Sequence, residues 1–271
     1  MSGFFIFTPM KNNKPIGIFD SGVGGTSIWK EIHQLLPHEN TIYLADSKNA
    51  PYGNKSKEKI ISLSKKNTEK LLEMGCKIIV VACNTATTNA ISTLRKTYPV
   101  PFIGIEPAIK PAALKTKTKN IGVLATKGTL SSNLFHKTSE LIANDINVIE
   151  VIGEGLVPLI EKGKLNSTQL KKLLEDYLNP LIKKKIDYLV LGCSHYPYLI
   201  PLVKNITRNQ IKIIDSGEAV AKQTKVVLKK QKLTGQNNNT VCTFYSNKDT
   251  KTLKMLLEQF SDKIDVKRLD F

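Results

Sequence analysis

Arginine is nearly missing from this 271-residue chain: Arg95, Arg208 and Arg268 are the only three. Yet 40 basic residues stand against 23 acidic ones, a net charge of +17, so almost all of the basic charge is lysine. Arginine is the usual bidentate reader of phosphate and base edges. Its scarcity argues against a specific nucleic-acid partner, and the lysines read as a solvated face. Cysteine is scarce as well. Cys76, Cys83, Cys193 and Cys242 form no CxxC pair and no tight framework, which excludes a disulfide-stapled scaffold and fits the thiols of a cytoplasmic protein. No ligand spacing for a metal occurs, since Pro37 breaks the His33 and His38 pair. Long apolar runs are absent too. The opening MSGFFIFTPM lacks the basic flank and cleavage site of a signal peptide and is too short to cross a bilayer, so no membrane partner is expected. Met10 is the expected start, with residues 1–14 an extension before the first strand.

What is present is a soluble, core-forming composition, 41% hydrophobic and 23% charged, in a length between one large domain and two ordinary ones. Strand and helix patterns alternate, which argues for parallel α/β architecture. Strands are expected at 15–19, 41–45, 77–82 and 101–105, with helices at 26–36, 56–74 and 85–96 between them. From Asn120 the order restarts. Strands are expected at 121–125, 147–152, 187–192 and 211–214, and helices at 130–143, 167–184, 198–205 and 217–230. A last strand at 241–245 and a helix at 250–260 close the chain.

The restart is an internal repeat. Ile16-Gly17-Ile18-Phe19-Asp20-Ser21 lines up with Ile121-Gly122-Val123-Leu124-Ala125-Thr126, and Ile78-Ile79-Val80-Val81-Ala82-Cys83 with Tyr188-Leu189-Val190-Leu191-Gly192-Cys193. In open parallel sheets ligands sit at the carboxyl ends of strands. One such turn is Asp20-Ser21-Gly22-Val23-Gly24-Gly25-Thr26, which fits neither phosphate-loop pattern but suits an anion such as a carboxylate. Two others are Cys83-Asn84-Thr85 and Cys193-Ser194-His195, each a cysteine directly after an apolar strand and at a helix start, where amides and dipole favour a thiolate. Cysteines from opposite halves of a repeat can approach one carbon from both faces, one removing a proton and the other delivering one, which inverts a stereocentre. Charge developing on the substrate then needs fixed donors, with Asn84, Thr85, Ser194 and the Gly22–Gly25 amides as candidates. Cys76 and Cys242 read as packing thiols.

At these residues the chain resembles the glutamate racemases of the aspartate/glutamate racemase family, through IGIFDSGVGG at 16–25, APYGNKS at 50–56, VVACNTAT at 80–87 and LGCSHYP at 191–197. IGVLATKGT at 121–129 and IIDSGEAVA at 213–221 extend the likeness, which fades after about Val220. The resemblance implies two pseudo-symmetric α/β domains, residues 15–107 plus 216–271 and residues 108–215, each a parallel sheet flanked by helices, with the active site in the cleft between them. It implies a cytoplasmic isomerase that interconverts L- and D-glutamate without pyridoxal phosphate, metal or other cofactor and supplies D-glutamate for peptidoglycan. By it, Cys83 acts on D-glutamate and Cys193 on L-glutamate, with Asp20, His195 and Glu161 assisting. Asp20, Ser21, Tyr52, Gly53, Asn84, Thr85, Ser194 and His195 match substrate-binding positions. A homodimer is compatible with it. Two departures stand out: Ser194 where the family usually has Thr, and a loose version of the stretch before PYG at Ala45-Asp46-Ser47-Lys48-Asn49. An aspartate- or hydantoin-type racemase would keep the paired cysteines and differ in the carboxylate pocket. A nucleic-acid binder would rest on the charge alone, on Lys183–Lys185 and Lys229–Lys230.

Overall fold

The computed structural model describes residues 13–142 and 145–271; Met10 and most of the 1–14 extension lie outside the described residues. In chain order the elements of the first run are β1 (Ile16–Asp20), α1 (Thr26–Leu35), β2 (Thr41–Ala45), α2 (Lys57–Glu73), β3 (Ile78–Val81), α3 (Asn84–Thr97) and β4 (Phe102–Gly104). The second run has α4 (Ile109–Lys115), β5 (Asn120–Ala125), α5 (Lys127–Leu130), α6 (Asn133–Glu140), β6 (Asn147–Ile152), α7 (Leu156–Glu161), α8 (Thr168–Lys183), β7 (Tyr188–Gly192), α9 (Ile200–Ile206) and β8 (Lys212–Ile214). The chain ends with α10 (Gly217–Lys230), β9 (Cys242–Ser246), α11 (Lys251–Leu256) and β10 (Ile264–Arg268).

Two sheets result. One has six strands in the order β10-β9-β2-β1-β3-β4, the other four in the order β6-β5-β7-β8, and every pairing is parallel. The central strands are apolar, apart from Asp20 at the end of β1, because helices cover both faces, and β1, β3 and β7 are buried at every residue. The repeat read from sequence is present in the pairing itself. Ile16 lies opposite Thr41 and Ile78, and Ile121 opposite Val148 and Tyr188, so β2-β1-β3-β4 and β6-β5-β7-β8 have the same order and the aligned residues the same register. The chain passes between the sheets after β4 and again after β8, and the Ser216 hydroxyl at the second passage donates to the Glu106 carbonyl at the first.

Several expected elements take a different form. The helix expected at 130–143 is two helices, α5 and α6, because the Ser132 side chain caps a new start by accepting from the Phe135 amide at 3.3 Å; Ala143 lies outside the described residues. The helix expected at 198–205 begins as a tight turn over Tyr196–Leu199 before α9, and the one expected at 250–260 stops at Leu256 and tightens over Glu258–Lys263. Helices α4 and α7 and edge strand β10 form where no element is expected. The first two are short and contain Pro111 and Pro158, and β10 is the charged segment IDVKR.

Candidate active site

The turns after β1, β3 and β7 converge where the two sheets face each other. A small, nearly closed cavity there is lined by Ser21, Tyr52 and Gly53, by Cys83, Asn84 and Thr85, and by Cys193, Ser194 and His195, with Pro51, Thr126 and Val157 completing the wall. Both cysteines are thus at equivalent points of the repeat and on one small enclosure. Among the described residues, no group of three or more His, Cys, Asp or Glu side chains is disposed to hold a metal ion.

The glycine-rich turn does bind anions, but they are the protein's own. Asp20, fully buried, accepts from the Gly22 and Gly25 amides at 3.1 Å through Oδ2 and from the Ser194 hydroxyl at 3.0 Å through Oδ1. Glu161, at the end of α7, reaches across from the other sheet and accepts from the Val23 amide at 2.7 Å and the Ser47 hydroxyl at 3.0 Å. The amides of Gly22, Val23 and Gly25, expected as donors to substrate charge, are therefore already engaged. Close approach explains the glycines. A Cβ at Gly22 would stand 2.0 Å from Glu161 Oε1, and one at Gly24 2.2 Å from His195 Nδ1.

His195 joins these groups to the second thiol. Its Nε2 lies 2.6 Å from Glu161 Oε1, while Nδ1 lies 3.8 Å from Cys193 Sγ. Burial alone would lower its pKa, but Cys193, Glu161 and Asp20 outweigh that and hold the ring well above the usual imidazole range. Asp20 is pushed up by burial and by Glu161, against the pull of His195, the Gly25 amide and Ser194. Cys83 caps α3, its Sγ accepting from the Ala86 amide at 3.4 Å. Burial and the Asp20 charge push this thiol well above its ordinary range, more than the Ala86 and Ser21 hydrogen bonds can offset. Cys83 is therefore a neutral thiol in the unliganded site.

The polar wall is unevenly satisfied. Thr85 Oγ1 lies 2.8 Å from Thr126 Oγ1 and 3.2 Å from Thr129 Oγ1, and the last two are 3.1 Å apart. Asn84 is different: both ends of its buried amide meet no hydrogen-bond partner among the described residues. An orphaned amide in a cavity wall costs free energy unless something else satisfies it, and so points to a ligand. Tyr52 lines the cavity, and its hydroxyl donates to Asp46 at 2.5 Å. Every residue expected at the site lies in or directly behind this wall. Thr126, Ser47 and Asp46 are the additions, and Thr126 was open to detection as the repeat partner of Ser21.

Comparison with known proteins agrees with this geometry. The model of the Asp/Glu/Hydantoin racemase family matches residues 16–224. A glutamate racemase of Cupriavidus pinatubonensis is 46% identical over 215 residues, 79% of each chain. One of Pseudomonas putida is 42% identical over 256 residues, 94% of this chain and 97% of that one. The crystal structure of a glutamate racemase isoform from Bacillus anthracis superposes with a TM-score of 0.84 at 30% identity, covering 96% of this chain and 98% of the other. By these likenesses the chain belongs to the Asp/Glu/hydantoin racemase family, among its glutamate racemases, and is an isomerase.

Proposed function

We propose that this protein interconverts L- and D-glutamate by proton transfer at Cα between Cys83 and Cys193, with no added cofactor. The observation that carries the reading is the placement of two cysteines, equivalent in the repeat, on one small cavity whose Asn84 amide lacks a partner. Substrate enters with Cα between the two sulfurs. Cys193 as thiolate takes the α-proton of L-glutamate, and the neutral Cys83 thiol delivers its own proton to the opposite face. D-glutamate forms, and the thiolate is now on Cys83. His195, beside Cys193 and backed by Glu161, accepts the proton that leaves Cys193 in the resting site. The raised pKa of Cys83 favours the form that consumes L-glutamate. Asn84, Thr85, Ser194, Ser21 and the Tyr52–Gly53 turn hold the substrate's carboxylates and amine while charge develops toward the α-carboxylate. Residues 15–107 with 216–271, and residues 108–215, are the two bodies whose closure excludes water from that state.

The kinship with glutamate racemases supports glutamate as substrate, and D-glutamate for peptidoglycan in the cytoplasm as the product's use. A chiral assay of the purified protein with L-glutamate and L-aspartate, without pyridoxal phosphate, tests the reading. Turnover of glutamate is expected, and in deuterium oxide the D-glutamate should carry deuterium at Cα. Cys83→Ala and Cys193→Ala should each lose at least about a thousandfold, since each direction needs one base and one acid. Turnover confined to aspartate, or full activity without Cys83, would overturn it.

A further inference from the structure

The family match stops at residue 224, and strand β9, α11 and β10 all lie beyond it. The segment after β9, from Asn247 into α11, nevertheless bonds to residues behind both walls of the cavity. On the first wall, Asn247 is buried and its side-chain amide bonds in two directions. Nδ2 donates to Asp46 Oδ1 at 2.5 Å, and Oδ1 accepts from the Lys48 amide at 2.9 Å. Asp46, itself buried, accepts from Tyr52 through Oδ2 and from Asn49 Nδ2 at 2.7 Å, and its own amide donates to the Asp20 carbonyl at 3.1 Å. Asn67 donates to the Tyr52 hydroxyl at 3.0 Å and fixes it from behind. On the second wall, the Thr252 hydroxyl donates to the Glu161 carbonyl at 2.8 Å, at the residue that holds His195.

We infer that Asn247 is a positioning residue for the racemase site: through Asp46 it sets the Tyr52–Gly53 wall against Cys83, while nearby Thr252 steadies the Glu161–His195 wall. This rests on the reading of the cavity as the substrate site. The physical case is that a buried carboxylate needs donors on every side. Remove the Asn247 amide and Asp46 turns toward the donors left to it, taking with it the Tyr52 hydroxyl that fixes the wall. The Tyr52 ring and the Cys83 thiol belong to one packed cluster, so a looser Tyr52 uncovers Cys83.

The test is Asn247→Ala in the full chain, read in two ways. The rate of Cys83 alkylation by iodoacetamide, located by peptide mass spectrometry, is expected to rise about tenfold while that of Cys76, buried in the same cluster and away from the turn, does not change. KM for L-glutamate is expected to rise about tenfold with kcat changed less than threefold. Asn247→Ser, which keeps a short donor, should recover part of both effects. Equal acceleration at Cys76 and Cys83 would mean general loosening and overturn the inference, as would an unchanged Cys83 rate. The alkylation readout needs no turnover. A wild-type protein inert toward glutamate therefore defeats the substrate reading alone, and an active one with an unaltered Asn247→Ala defeats only this inference.

Discussion

Asn84 shows how a residue can be kept at a cost to the unliganded protein. Its two unpartnered polar ends sit against a wall otherwise closed by hydroxyl pairs and carboxylate cradles. A buried polar group without a partner costs about 1–3 kcal/mol. Asn84→Ala removes that cost and leaves a small void in exchange, so the unliganded variant should melt within a few degrees of wild type, or above it. A function that depends on satisfying that amide should suffer instead, with kcat/KM for L-glutamate falling about 10–100-fold. Thermal melts without ligand, set beside the kinetics, check both halves. A variant that is several degrees less stable with kinetics intact would make Asn84 a packing residue. Asn84 could be picked out in sequence beside Cys83 as a candidate donor, but the lack of a partner for its amide could not, because that is a property of the folded wall.

At the scale of elements, the same residue type does two unrelated things. Gly75 ends α2 with φ at +78° and open space where a Cβ would stand. Gly75→Ala should therefore cost about 1 kcal/mol of stability through the left-handed backbone and leave turnover unchanged. Gly24 sits in the turn after β1, where a Cβ meets the His195 ring. Gly24→Ala should displace that ring from Glu161 and Cys193, costing about 1–3 kcal/mol by overpacking and at least a hundredfold in kcat. Urea unfolding and steady-state rates on the two variants separate the cases, and equal kinetic losses would remove the distinction. This contrast also marks how far sequence could be read. Apolar runs followed by small polar residues located β1, β3 and β7 and their turns, because buried parallel strands carry their signal locally. Helix α7 escaped, since a six-residue helix holding Pro158 has too few turns to show a period, and its last residue, Glu161, was given a role only by the family resemblance. The destination of the glycine-rich turn's amides was hidden for another reason. Gly22 and Gly25 turn back onto Asp20, but the carboxylate that holds the Val23 amide, Glu161, is 138 residues away in the chain, and only tertiary structure brings it there.

For the whole molecule, a site built on thiols in a dry core links stability to pH from the alkaline side. Burial pushes Cys76 up to about 12, burial and Asp20 push Cys83 well above its ordinary range, and burial raises Cys242 against two hydrogen bonds from Thr41. In the unfolded chain all three ionise near the free-thiol value of about 8.5. Folded pKa values that lie above the unfolded ones mean that the native state binds more protons between the two. The corresponding stabilisation is complete below about pH 8.5 and is lost as pH rises toward the folded values. A thiol held as high as Cys76 then removes up to about 1.4 kcal/mol per pH unit, or about 2 kcal/mol by pH 10. Urea unfolding at pH 8 and pH 10 should show a steep alkaline decline in the wild type. Cys76→Ala should start from lower stability at pH 8, because it opens a small cavity beside Gly17, yet lose about 2 kcal/mol less over the same interval. Parallel declines in the two proteins would place the alkaline sensitivity elsewhere, in the buried tyrosines that also resist ionisation, Tyr43, Tyr52 and Tyr196.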